Sequence, residues 1–141
     1  MQCASNVVKI LSVSPQEEDY RYLQSIADPS AWLLLQADGV TAARSLLRQH
    51  DVSVVLCERD LAPGSWIDLL DTIRLIPHSP SLIVTSRMAD ERLWAEALNL
   101  GAWDVLAKPF DRVEVLRTVA VAWQHRQDGQ RASRAAMKAA S

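Results

Sequence analysis

SLIVTSRMADERLWAEALNLGAWDVLAKPF, residues 81–110, reads in one pass as strand, helix, strand. Ser81 to Ser86 is a short apolar run with the length and composition of a buried strand, and its end carries a hydroxyl, Thr85. The helix follows over about Asp90 to Leu100, with Gly101 in the position of a carboxyl-terminal cap. The second strand ends near Ala107 and delivers a cation, Lys108, followed at once by Pro109. Two strands joined through one helix run parallel, with a right-handed crossover. The Thr85 hydroxyl and the Lys108 ammonium then stand together at the carboxyl ends of neighbouring strands. Such a pair can hold a phosphoryl or carboxylate group between them.

The rest of the chain repeats this alternation. Val7 to Val13 is a first strand. Ser14-Pro15-Gln16-Glu17 has the form of a helix start, with Ser at the cap, Pro at the first helical position and Glu closing a capping box. Tyr20, Leu23, Ile26 and Ala27 keep helical spacing until Asp28-Pro29 stops it. Ala31 to Ala37 is the second strand, and Ala42, Ala43, Leu46 and Leu47 line a short helix after the Asp38-Gly39 turn. Asp51 to Glu58 is apolar at nearly every position, as a central parallel strand covered on both faces should be. After the Arg59–Ser65 loop, Trp66, Leu69, Leu70 and Ile73 mark a third helix. Asp111 and Glu114 open a last one, whose apolar register holds Val115, Leu116, Val119 and Trp123. The fold class expected is α/β: a doubly wound sheet of five parallel strands with five helices.

Composition narrows the class without naming it. Hydrophobic residues are 49% and charged residues 23% of 141, the balance of an ordinary globular domain, and a net charge of −2 argues for neither nucleic acid nor membrane. No apolar run approaches the roughly 18 residues of a membrane span. Met1 to Asn6 lacks the basic and apolar regions of a signal peptide, so a cytoplasmic location is expected. Cys3 and Cys57 have no metal-ligand spacing, and Cys57 reads as a small buried apolar residue, not a nucleophile. From Gln124 onward Arg126, Arg131, Arg134 and Lys138 oppose only Asp128. That leaves a tail of about +3 and a core of about −5. Residues 1–123 are read as the domain and 124–141 as a solvated or partly disordered basic extension, with a docking arm for an acidic partner as the other reading.

Thr85-Ser86 after the fourth strand, Lys108-Pro109-Phe110-Asp111 after the fifth, Leu61-Ala62-Pro63-Gly64 after the third and Ala97–Ala102 before the fifth together resemble the receiver domain of bacterial response regulators. The likeness covers about Val7 to Trp123. It implies an Asp at the end of strand three that accepts a phosphoryl group, and Mg²⁺ held by that Asp and by an acid pair after strand one. It also implies a Thr and a Lys that contact the phosphoryl oxygens, and an aromatic in strand five. Thr85 and Lys108 match the sensing pair.

The other positions depart from the pattern. The acid pair falls on Ser14 and Pro15. Pro15 has no side-chain oxygen for a hard cation, so a weak or absent metal site is expected. Glu17, Glu18 and Asp19 read as first-turn acids that complement the helix dipole, with Glu17 and Glu18 as the alternative metal ligands. The phosphoacceptor falls on Glu58, or on Asp60 if the loop alignment slips, and Asp60 otherwise reads as a solvated acid. Glu is one methylene longer than Asp, which brings its carboxylate toward Lys108 in partial imitation of a phosphorylated Asp. A structural Glu58–Lys108 ion pair is the other reading, and Thr85 bonding to backbone is the other reading of the hydroxyl. The aromatic position falls on Val105.

The expectation is a stand-alone, atypical receiver without enzymatic activity, acting by protein–protein contact without aspartyl phosphorylation. A still-phosphorylated regulator with Mg²⁺ is the alternative, and a flavodoxin-like ligand-binding protein the third reading. The third lacks a Gly-rich phosphate loop among four glycines. The partner expected is a protein: a histidine kinase, another regulator or a second copy. Its seat is the face of helix four, strand five and helix five, carrying Trp94, Trp103 and Val105. Trp66, at the start of helix three, is placed to cover or fill the site. Too little chain follows Trp123 for a helix-turn-helix, so nucleic acid is not expected.

Overall fold

The computed structural model describes residues 7–140; Cys3 and the Met1–Asn6 stretch lie outside the described residues. Five parallel strands form the sheet: β1 (Val8–Val13), β2 (Trp32–Ala37), β3 (Val54–Glu58), β4 (Ser81–Ser86) and β5 (Asp104–Ala107), in the order β2-β1-β3-β4-β5. Five helices connect and close it: α1 (Glu17–Ile26), α2 (Val40–Gln49), α3 (Trp66–Arg74), α4 (Glu91–Leu100) and α5 (Arg112–Ala140). The loop read between β3 and α3 contains a small antiparallel ribbon, Asp60–Leu61 against Gly64–Ser65. Strand order reverses between β1 and β3, which opens a crevice at their carboxyl ends.

Side-chain alternation divides the core into two layers. Leu11, Val55, Cys57, Val84 and Val105 pack under α2, α3 and α4. Ile10, Val54, Leu56, Ile83 and Leu106 pack under α1 and α5. Trp66 belongs to the first layer and is 3% exposed, so it fills core and does not cover the crevice. Val105 lies in the same layer at 5% exposure. The pleat turns it under α4, and it is not on the surface where a partner would meet it.

The helix starts follow local chemistry. Ser65 accepts from the Ile67 N–H while Asp68 accepts from the Ser65 N–H, and Asp90 accepts from the Leu93 N–H. Asp111 accepts from the Glu114 N–H at 2.9 Å. The start expected for α1 is different in the structure. Gln16 is its cap residue, and Ser14 lies two residues before it, where its hydroxyl accepts from the Gln16 N–H at 3.0 Å. Pro15 therefore precedes the helix, and Glu17 closes no capping box. Gly101 ends α4 in the left-handed region at φ 109°, a conformation open to glycine at little cost.

The composition change at Gln124 is not a structural break. α5 runs on as one helix of 29 residues, which corrects the partly disordered reading of the tail, while residues 131–139 are exposed, as the solvated reading expected. Arg126 is the reason. Its residue is only 8% exposed, and its guanidinium donates to Asp51 Oδ1 at 2.8 Å, Ser53 Oγ at 3.3 Å and the His78 carbonyl at 2.9 and 3.1 Å. His78 is in the left-handed region at φ 53°, a strain of about 1–2 kcal/mol for a side-chain-bearing residue. The two charge-assisted bonds to its carbonyl offset that strain. Arg126 thus fastens the start of the basic segment to the amino-terminal end of the sheet.

Candidate functional site

At the other end of the sheet, β3 and β4 stop in register, with Glu58 opposite Thr85. β5 brings Lys108 alongside, anchored through its backbone N–H to the Ser86 carbonyl at 2.9 Å. Glu58, Thr85 and Lys108 are 4%, 3% and 8% exposed. Charges removed this far from water persist only when paired. The Lys108 ammonium ion-pairs with the Glu58 carboxylate and, at 2.5 Å, with Asp19 Oδ2. Gln16 Oε1 accepts from the same ammonium at 3.3 Å. The second Glu58 oxygen accepts from the Asp60 N–H at 2.9 Å, which ties the carboxylate to the loop behind it. Ser14 donates its hydroxyl to Asp19 Oδ2 at 2.7 Å. One cation is therefore closed between two carboxylates, Glu58 from the end of β3 and Asp19 from α1.

Asp19 is the residue that the sequence reading missed. Read with Glu17 and Glu18 as a first-turn acid, it alone of the three is buried, at 7%. Glu17 pairs with Arg21 and Glu18 lies 3.6 Å from Arg87, both on the exposed side of α1. The signal was present: Asp19 and Leu23 are four residues apart and are the two buried residues of α1. A carboxylate in the apolar register of an amphipathic helix points inward.

Asp60 is outside the cluster. Its side chain is 82% exposed and 3.9 Å from the Arg59 guanidinium; only its backbone N–H touches Glu58. Ser14 and Pro15 follow β1 directly, Ser14 turned toward Asp19 and Pro15 exposed. Burial, and secondarily the neighbouring Glu58 charge, push the Cys57 thiol well above its ordinary range, which removes it as a nucleophile. Among the described residues no group of three His, Cys, Asp or Glu stands together as a metal centre, and no helix is long and apolar enough to cross a membrane. Trp94 is 42% exposed on α4. Trp103 is half-buried, its ring 4.3 Å from that of His125. A cavity of about 420 Å³ lies beside Lys108, walled by Phe110 and by Tyr22, whose rings are 5.6 Å apart.

The family model described as the response regulator receiver domain matches residues 10–120. Among solved structures, the signal receiver domain of an HD domain-containing protein from Pseudomonas fluorescens Pf-5 is 28% identical, with a TM-score of 0.80 over 89% of this chain and 93% of that one. The chemotaxis response regulator CheY4 of Vibrio cholerae shares the fold, at 14% identity and a TM-score of 0.74 over 82% of this chain and 98% of that one. A curated relative, the sensory transduction protein LytR of Staphylococcus saprophyticus, is 27% identical over 60% of this chain. The chain spans about a third (32%) of that relative's length.

Proposed function

This chain belongs to the response regulator receiver domain family of two-component signalling, and from that membership we propose that it works as a protein-binding receiver whose switch is held closed by its own side chains, without aspartyl phosphorylation. The observation that carries the reading is the buried Lys108 ammonium, engaged at once by Glu58 and Asp19. In a receiver that takes a phosphoryl group, that ammonium meets the incoming charge. Here two carboxylates already neutralise it.

The donors present do not fit a receiver's Mg²⁺. Hard divalent cations take six or more oxygens. Ser14 and Pro15 supply one hydroxyl between them, and that hydroxyl is committed to Asp19. Both buried carboxylates face an ammonium, which repels a second cation from the same space. In-line phosphoryl transfer depends on positioning and charge neutralisation, and neither is provided for an acceptor at Glu58. Output then passes through a protein partner, a kinase, another regulator or a second copy. The exposed Trp94 on α4 is the side chain best placed to anchor it.

Intact-mass analysis after incubation with Mg²⁺ and acetyl phosphate tests the reading. No phosphoryl addition is expected, beside a control receiver that is labelled under the same conditions. One hydroxylamine-labile phosphoryl group on this chain would replace the proposal with a working phosphoswitch.

A further inference from the structure

Arg126 also lines a second concavity, at the amino-terminal end of the strands and so at the opposite end of the sheet from Lys108. It has a volume of about 460 Å³, within the range of small-molecule sites. Its floor is apolar, from Ile73 and Leu82, and the half-buried Trp103 forms one wall. Arg74, His78, His125 and Arg126 line it, and no Asp or Glu does. Arg74 and Arg126 are each paired with an acid outside the lining, Asp71 and Asp51, so the positive charge on the wall is partial and rests mainly on Arg74. Arg126 contributes field more than free donors, because Asp51, Ser53 and the His78 carbonyl take up its guanidinium. Arg74 is less committed: its Nη1 lies 3.5 Å from Asp71, and its Nη2 reaches over Gly101, 3.1 Å from where a Cβ would stand.

Gly129 is the second, independent observation. It sits inside α5, where glycine is destabilising by about 1 kcal/mol relative to alanine. No neighbour requires its lack of a side chain, since a Cβ there would meet nothing within 4 Å. It lines this concavity. The helix thus carries, on the rim of the cavity, a glycine that packing does not explain.

We propose that this cavity binds a small planar organic anion, its ring against Trp103 and its acid group toward Arg74. Trp103 already stacks on a flat partner, the imidazole of the exposed His125, at an interplanar angle of 27°, and a ligand ring takes that face by displacing the imidazole. The site is separate from the Lys108 cluster and does not depend on whether Glu58 is phosphorylated.

The probe is adenosine 5′-monophosphate, with adenosine and inorganic phosphate as the ring-only and charge-only controls. Binding is followed by amide shifts of Gly101, Ala102 and Gly129 in the full chain. The monophosphate is expected to bind with a dissociation constant below 1 mM, on the order of ten times more tightly than either control, since a tenfold ratio is the loss of one modest contact. Gly129→Leu is expected to raise the melting temperature and abolish binding together, and Arg74→Gln to weaken binding about tenfold with the fold intact. Absence of saturable shifts at 10 mM, or binding unchanged in Gly129→Leu, overturns the proposal.

Discussion

Lys108→Met is expected to lower the unfolding free energy by about 3–5 kcal/mol, the cost of leaving buried charge unpaired. The ammonium is 4% exposed at its side chain, against 6% for Glu58 and 9% for Asp19. Its removal leaves two carboxylates facing each other out of water. Methionine keeps the length and packing of the side chain, so the loss reports charge and not a cavity. Glu58→Gln and Asp19→Asn, added to Lys108→Met, are expected to recover most of the loss. Each alone is expected to cost less, about 1–3 kcal/mol, because Lys108 keeps its other partner. The three sites share one network, so their effects will not add. Urea unfolding of the single, double and triple variants measures this directly. A Lys108→Met loss under about 1 kcal/mol, the size of a solvated pair, would remove the basis for a closed switch.

Truncation after Trp123 is expected to destabilise the domain by about 2–3 kcal/mol, most of it reproduced by Arg126→Ala. The loss comes from the buried guanidinium bonds to the His78 carbonyl and Ser53 hydroxyl, at the magnitude of charge-assisted hydrogen bonds. Asp51 contributes little, since its side chain is 80% exposed. Hydrogen exchange separates this from a general weakening. In Arg126→Ala, protection is expected to fall between Gln124 and Ser133 and around His78, and to hold in β1 and β3. Stability unchanged by the truncation would restore the boundary at Trp123 that composition suggests.

The five strands, the five helices and the positions of Glu58, Thr85 and Lys108 at strand ends were legible because they rest on period and punctuation: apolar runs of strand length, Gly101 and the helix starts at Asp90 and Asp111. Two residues that decide the energetics were not. Asp19 and Arg126 are charged residues in the apolar phase of a helix, Asp19 four before Leu23 and Arg126 four after Ala122. Composition counts such residues as surface. Only their phase shows that they face inward, and only the fold shows what they meet there. Val105 fails for the complementary reason. Family likeness placed it on a working face, while the pleat of β5 turned it into the core. Ser14 looked like a cap because Ser-Pro opens many helices, yet its hydroxyl is taken by the Gln16 N–H and Asp19.

Mechanically, α5 is a beam. At 29 residues and 1.5 Å per residue it is about 43 Å long, and Arg126 falls at its midpoint. Its first turn rises directly from the segment that carries Lys108, Pro109 and Phe110, and its far end lies an equal distance beyond the clamp. The beam is not supported evenly. Its first half is bedded on the sheet through Val115, Val119 and Ala122, each fully buried, while residues 131–139 beyond the clamp are exposed. Arg126 is therefore the last support of a cantilever, and Gly129, its most compliant point, comes just past that support. Bending falls on the exposed arm and is not passed back to the Lys108 end.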